Sequence, residues 1–328
     1  TGAVSITHTG AANVAIDNGT TALNLGTVTV GQNFSATSGG GITDSGVITV
    51  AGTGTFVTDV NDIDIVLDSN NAITGALTFT TQTSGSTNGA DITFDNGTTA
   101  ISLAAFTTEG DLTLKTDAAI ALSGHTVNGD LSVTSAGAIS QSAALTVSGT
   151  SGFTSTGSNN NITLSTNSNA FTGAVSASTT GSSGDLTIDN GTTALNIDAS
   201  TIGGNLTATA GDSITDSGII TVGGTASFTT DTTDKLITLN SQNAVTGQLT
   251  FSTIGTGGDV TFDNGTTALG TINAGGVDGD LTLQTDAATT ISNAITMNGS
   301  GAALSLTVDG GKSLNIQAAL TTNAGGIT

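Results

Sequence analysis

Short segments in which apolar and polar residues alternate run through the whole chain. They open with Gly followed by Asp or Asn, as in "GDLTL" at Gly110 and "GDLSV" at Gly129. Because side chains alternate along a strand, Leu112 and Leu114 are expected to point into a core and Thr113 to face solvent. The period of two, with many β-branched residues and no helical period, predicts short β-strands.

The spacing of these openings predicts how the strands are arranged. Successive openings lie about 20 residues apart, which is too short for a propeller blade of four strands and fits one coil of a parallel β-helix. The fold class predicted is therefore all-β, a β-solenoid with coils of about 20 residues. Inward, buried positions are predicted for Leu112, Leu114, Leu131, Val133, Val28, Val30, Leu206, Ala208, Leu281, Leu283, Leu304 and Leu306. Phe56, Phe153 and Phe228 are expected to form an interior aromatic stack.

Longer repeats lie above this spacing. The phrase "DNGTTA" begins at Asp17, Asp95, Asp189 and Asp263, and "GITDSGVITVAGTGTFVTD" at Gly41 returns as "SITDSGIITVGGTASFTTD" 172 residues later. The chain thus contains two copies of a unit of about 170 residues. We predict one continuous solenoid over residues 1–328, with internal repeats at approximately 14–90, 91–184, 185–258 and 259–328.

Glycine and proline usage agree with closely stacked coils. The 47 Gly are expected at corners, where a positive φ is needed and where Gly, Asn and Asp tolerate it. The chain has no Pro, which would remove a donor from the hydrogen-bond ladder of every coil that it entered.

Charge and composition exclude several classes of function. Three Lys and no Arg, at a formal net charge of −22, leave no basic patch for nucleic acid. The absence of Cys excludes disulfides, thiolate metal sites and cysteine nucleophiles. No apolar run is long enough for a membrane-spanning helix, so we expect no membrane insertion.

At this point the sequence resembles the repeat region of filamentous haemagglutinin-like large exoproteins, the two-partner-secreted adhesins of Gram-negative bacteria. The resemblance rests on "NLTATAGDSITDSGIITVGGTASFTTD" from Asn205 and "DLSVTSAGAISQSAALTVSGTSGFTST" from Asp130. It implies a right-handed parallel β-helix that forms the shaft of an extracellular or cell-surface adhesin, in agreement with the usual handedness of parallel crossovers.

Catalysis is not expected from these residues. Polysaccharide lyases need Arg or Lys and hydrolases need paired carboxylates, whereas Glu109 is the sole Glu and the Asp residues lie mostly in predicted turns. His8 and His125 are each expected to be exposed and isolated, without a cluster of metal ligands. The "TDSG" strings at Thr43 and Thr215 are interpreted as capping and Asx turns, since no His base lies near them.

One column of carboxylates suggests a ligand. Asp91, Asp111 and Asp130 open three successive coils, so stacking would place them about 5 Å apart, where neighbours repel by roughly 1 kcal/mol in water. A surface Ca²⁺ would remove that repulsion and prefers hard oxygen ligands. Asn205 stands at an equivalent place, which favours a plain turn-forming role. No other cofactor is expected.

Several functions and partners remain open from the sequence. The shaft of an adhesin or surface fibre is the main hypothesis, and a self-assembling subunit of an extracellular filament is the alternative. Ice binding or polysaccharide binding by a solenoid face is opposed by irregular Thr positions and few aromatic residues. Both ends stop in mid-pattern, so we expect further repeats of the same chain or identical subunits to stack on them, and a host or neighbouring cell to be contacted through other regions.

Overall fold

The structure is a computed structural model, and it describes residues 2–82, 89–165 and 169–328. The described residues form parallel β-strands and no helix, stacked as a β-solenoid whose turns are spaced by about 21 residues. This confirms the predicted fold class. No helix among the described residues has the length and hydrophobicity that crossing a membrane requires.

The chain divides into two compact units, residues 1–157 and 158–328, each described by itself. The strands that begin in the first unit, β1 to β20 in order, are Val4–His8, Val14–Asp17, Leu23–Val30, Phe34–Ser38, Ile42–Asp44, Ile48–Val50, Gly54–Asn61, Ile65–Leu67, Ala72–Ile73, Leu77–Gln82, Ile92–Asp95, Ile101–Ser102, Thr107–Thr108, Leu112–Thr116, Ile120–Leu122, Thr126–Val127, Leu131–Ser135, Ile139–Gln141, Thr146–Val147 and Ser151–Ser158.

The strands that begin in the second unit, β21 to β41 in order, are Ile162–Leu164, Ala170–Phe171, Val175–Thr180, Leu186–Asp189, Leu195–Ile197, Ser200–Ile202, Leu206–Ala210, Ile214–Asp216, Ile220–Val222, Ala226–Thr233, Ile237–Leu239, Ala244–Val245, Leu249–Ile254, Val260–Asp263, Ile272–Gly276, Leu281–Thr285, Thr289–Ile291, Ile295–Ser300, Leu304–Val308, Leu314–Ile316 and Leu320–Asn323.

One coil of the first unit contains three strands. β14, β15 and β16 pair in parallel with β17, β18 and β19 of the next coil, in that order. The register joins Leu112 to Leu131 and Leu114 to Val133, so equivalent residues of the sequence repeat stack directly on one another. The second unit repeats this arrangement, with β27, β28 and β29 pairing with β30, β31 and β32.

The core of each unit is a column of aliphatic and aromatic side chains. Leu112, Leu114, Leu131 and Val133 are at most 2% exposed, as predicted from the alternation. Thr113 faces outward and is only half-buried. Each buried aliphatic side chain contributes about 1.5–3 kcal/mol relative to an exposed one.

Aromatic residues extend this column in both units. Phe56 stacks on Phe79 with ring centroids 5.8 Å apart, and Phe228 stacks on Phe251 at 5.9 Å. Phe153 is buried as well, so the interior position predicted for all three matching Phe residues is confirmed. Such offset pairs add about 0.5–1.5 kcal/mol to the burial of the rings.

Three sequence expectations are wrong in detail. Leu306 is only half-buried, because the strands that follow it in the chain cover it in part. His125, expected to be exposed, is 1% exposed. Most glycines do not have a positive φ, since only ten glycines among the described residues have one. Asp62 and Gln242 also adopt a positive φ at corners, at 57° and 55°.

Candidate functional site

The Asp residues predicted to bind calcium form one column in the first unit, and each of them supports the next coil. One oxygen of Asp91 accepts the backbone N–H of Asp111 at 2.8 Å, and Asp111 accepts the N–H of Asp130 at 2.7 Å. Asp130 in turn accepts the N–H of Thr150 at 2.6 Å. Each carboxylate therefore satisfies a backbone donor at a coil corner, and the recurrence of Asp follows from that role. Such charge-assisted hydrogen bonds are stronger than neutral ones.

The Gly that precedes Asp111 and the Gly that precedes Asp130 are required by the same contact. A Cβ at Gly129 would lie 2.3 Å from Oδ1 of Asp111 and 2.6 Å from the backbone carbon of Gly110. Gly129 also donates its N–H to the carbonyl oxygen of Gly110 at 3.2 Å. The backbone and the carboxylate of one coil thus occupy the space that a side chain at position 129 of the next coil would need. The dipeptide Gly-Asp recurs because the Gly leaves room for the Asp of the preceding coil, and its own Asp accepts an N–H of the following coil.

The second unit uses the same device with either Asp or Asn. Asp185 accepts the N–H of Asn205 at 2.7 Å, and Asn205 accepts the N–H of Thr225 at 2.9 Å through its Oδ1. Asp259 and Asp280 form a further such step, at 2.8 Å. Because a neutral amide oxygen performs the same task, the position requires an acceptor and does not require a charge.

A polar groove of about 380 Å³ lies beside the column in the first unit. The groove is lined by Asp62, Asp64, Gly89, Asp91, Gly110, Asp111 and Gly129. Asp64 precedes Asp91 in the ladder and accepts its N–H at 2.9 Å, across a longer coil of 27 residues. The sequence reasoning missed Asp64, although it directly precedes the strand "IVL" as the other Asp residues precede theirs.

The geometry of these carboxylates bears on the predicted calcium site. Three of the four groove carboxylates each use one oxygen to accept an N–H of the neighbouring coil. Among the described residues, no group of three or more His, Asp or Glu side chains is placed to hold a metal ion. The calcium column at Asp91, Asp111 and Asp130 stays a prediction.

Three of the four "DNGTTA" phrases form a corner that is tied to the preceding coil. The buried side-chain amide of Asn96 accepts the N–H of Ile73 at 2.9 Å and donates to the carbonyl oxygen of Ile73 at 3.1 Å. Asp95 accepts the N–H of Gly97 at 2.8 Å, which closes the turn at φ 52°. An amide side chain here replaces the peptide group of a strand. Asn190 and Asn264 bind Phe171 and Val245 in the same way.

The "TDSG" strings also support a neighbouring coil, and they are not the local turns that the sequence suggested. Asp44 accepts the N–H of Asp68 at 3.0 Å and an N–H of the Asn71 side chain at 2.7 Å. Asp216 repeats both contacts in the second unit, with Asn240 and Asn243 at 3.0 and 2.7 Å.

His125 occupies the interior between two coils of the first unit. Its ring centroid lies 5.0 Å from that of Phe106, and its Nε2 accepts a long 3.4 Å hydrogen bond from the N–H of Ser123. Nδ1 makes no hydrogen bond with the described residues. Desolvation by burial lowers the pKa of His125 from 6.5 to about 4. His125 is thus a neutral packing residue.

The described residues form two ion pairs, each between a Lys and an Asp. Lys115 contacts Asp95 at 2.6 Å, and this hydrogen bond raises the pKa of Lys115. Lys235 contacts Asp212 at 3.0 Å, and that hydrogen bond lowers the pKa of Asp212.

Comparison with known proteins gives one family. A family model described as repeats of unknown function (DUF5649) matches residues 11–80, 109–178 and 183–252. Neither a curated protein nor a solved structure matches the chain.

Proposed function

The chain belongs to the DUF5649 repeat family, and we propose that it forms the structural, non-catalytic shaft of an extracellular bacterial adhesin or surface fibre. One observation carries the proposal. The Asp of "GDL", the Asn of three of the four "DNGTTA" phrases and the Asp of "TDSG" bind the backbone of a neighbouring coil. Residues that would otherwise be candidates for binding a ligand hold one coil to the next, as a shaft that transmits force requires.

The resemblance to filamentous haemagglutinin-like exoproteins supports the bacterial surface as the location. The chain combines the uncharged, Thr-rich outward positions and aliphatic core of that repeat style with a net charge of −22, which opposes binding to nucleic acid. The partners that we propose are adjacent repeats of the same chain, or identical subunits stacked end to end. A host or neighbouring cell would be contacted through other regions of the protein.

A deletion in the native protein tests the shaft. Removing residues 41–212 joins two positions of the sequence that are equivalent in the 172-residue repeat, so the coils should remain in register. Electron microscopy of cells should show surface fibres shortened by about 4.8 Å for each coil removed. Antibodies against this segment should label intact cells.

Two outcomes oppose the proposal. Labelling that requires broken cells would place the protein inside the cell, and fibres of unchanged length after the deletion would exclude it from the shaft. Continuous filaments assembled from the purified chain would instead favour the self-assembling subunit.

A further inference from the structure

Four of the chain's Asn-Gly pairs show two contrasting ways in which the fold holds the Asn side chain. In three of the four "DNGTTA" phrases, Asn96, Asn190 and Asn264 are fully buried. Each of these amides accepts one backbone N–H and donates to two carbonyl oxygens. These three amides are therefore fixed in place by the neighbouring coil.

Asn128 is held much less firmly. It lies at the bend between β16 and β17, its side chain is exposed, and its one side-chain hydrogen bond with the described residues joins Nδ2 to Oε2 of Glu109 at 2.7 Å. The following N–H, of Gly129, makes a long 3.2 Å bond to Gly110, whereas the N–H of Gly97 is held at 2.8 Å by a carboxylate. Both groups of the Asn128–Gly129 pair can therefore leave their contacts more easily.

An Asn-Gly pair of this kind has a known intrinsic reactivity. The backbone nitrogen of the Gly attacks the side-chain carbonyl carbon of the Asn, loses its proton to solvent base, and expels ammonia to form a cyclic succinimide. Water then opens the ring at either carbonyl and leaves Asp or isoaspartate. Gly favours the attack because it has no side chain, and Gly129 cannot be replaced without a collision with Asp111. The ladder thus keeps the most reactive neighbour next to Asn128.

We propose that Asn128 is a site of spontaneous deamidation, and that Asn96, Asn190 and Asn264 are protected from the same reaction by the coil that precedes each of them. The reaction consumes only water and releases ammonia. Its product at position 128 replaces the donor to Glu109 with a carboxylate, beside the acidic column of Asp111 and Asp130. Isoaspartate also lengthens the backbone at the corner whose Gly129 joins the coils on either side. Deamidation should therefore weaken the first unit.

The test uses the folded full chain, incubated in mildly alkaline buffer and sampled for peptide mass spectrometry and isoaspartate content. Asn128 should convert on the order of 100-fold faster than the three corner Asn residues, which react only after local opening. In denaturant the four rates should converge, because all four pairs then have the same Gly neighbour. The converted protein should unfold at a lower urea concentration than fresh protein.

The chain supplies the matched control. Ser148 occupies the position equivalent to Asn128 in the next coil. The corner therefore accepts Ser, and Asn128→Ser is the control variant. This variant should keep the fold, lose the fast conversion and retain its urea midpoint on storage. Equal rates at Asn128 and Asn96 in the folded chain would overturn the proposal, as would a loss of stability on storage that persists in the Asn128→Ser variant.

Discussion

At the scale of single residues, the acidic side chains act as hydrogen-bond acceptors for the backbone of the next coil. Asp111 and Asn205 perform this task in different units, one with a carboxylate and one with an amide. What the position selects is a short side chain with an oxygen at the right distance, which explains why Asp and Asn alternate there.

Replacement of Asp111 tests this role. Asp111→Ala should lower the free energy of unfolding by about 1 kcal/mol, because the N–H of Asp130 loses its acceptor. Asp111→Asn should be close to neutral, since its amide oxygen can take the same bond. Urea unfolding of both variants decides the matter, and a loss in Asp111→Asn as large as in Asp111→Ala would show that the charge itself is needed.

His125 gives the first unit a defined dependence on pH. Its pKa is about 4 in the folded chain, against 6.5 for an ordinary exposed His, so the unfolded chain binds a proton first as the pH falls. The contribution of the neutral imidazole to the free energy of unfolding is fully present above pH 6.5 and is lost as the pH decreases toward about 4. The whole loss is about 3 kcal/mol by the linkage relation.

Phe106 packs against the ring of His125, and the neighbouring strands β13, β16 and β19 carry no titratable group. His125→Phe continues the aromatic column and cannot be protonated. Urea midpoints measured across this pH range should fall more steeply for the wild type than for the variant. Parallel curves would mean that the carboxylates alone govern acid stability.

At the scale of elements, the corner formed by "DNGTTA" takes the place of a strand segment. Asn96 pairs both backbone groups of Ile73 in the preceding coil, as a parallel strand would do. The phrase recurs with this geometry at Asn190 and Asn264, in the second unit. Its recurrence in the sequence reflects a hydrogen-bonding requirement between coils.

Asn96→Ala should destabilise the first unit by about 2–4 kcal/mol, because it leaves a buried N–H and a buried carbonyl oxygen of Ile73 unpaired. Asn18→Ala is the matched control. Asn18 belongs to the same phrase but donates only to Thr21 and Ala22 of its own turn, so its removal should cost less than about 1 kcal/mol. Thermal unfolding of the two variants compares them, and equal losses would contradict a contact specific to the neighbouring coil.

At the scale of the whole molecule, acidic charge is offset by few cations. The formal net charge is −22, and the two ion pairs among the described residues involve Lys115 and Lys235. Repulsion among the carboxylates opposes the compact state, and salt screens it with a Debye length of about 8 Å at physiological ionic strength.

Added salt should therefore stabilise this chain. The thermal midpoint should rise from low ionic strength to about 0.15 M sodium chloride, the range in which surface repulsion becomes screened. Calorimetry in a neutral buffer measures it, with sodium sulfate and sodium chloride compared at equal ionic strength to separate screening from ion-specific effects. A midpoint that falls with salt would mean that the attractive ion pairs outweigh the repulsion.

The sequence by itself determined the strands, the inward and outward faces and the coil spacing. Alternation at Leu112, Thr113 and Leu114 is a local property with a period of two, and the repeat of about 20 residues gives the register directly. The alternation and the repeat length can both be recognised without knowing which residues each coil contacts. The burial of Leu131 and Val133 followed from the same reasoning.

Only the tertiary structure decided what the recurrent polar residues do. Asp111, Asn96 and Asp44 bind partners 19 to 27 residues away in sequence. A turn signal in the sequence looks the same whether its side chain binds its own turn or a neighbouring coil. His125 was misjudged for a related reason. Its burial depends on two coils that close over it, and one polar residue in a segment of "LSGHTV" carries no period from which that enclosure could be read.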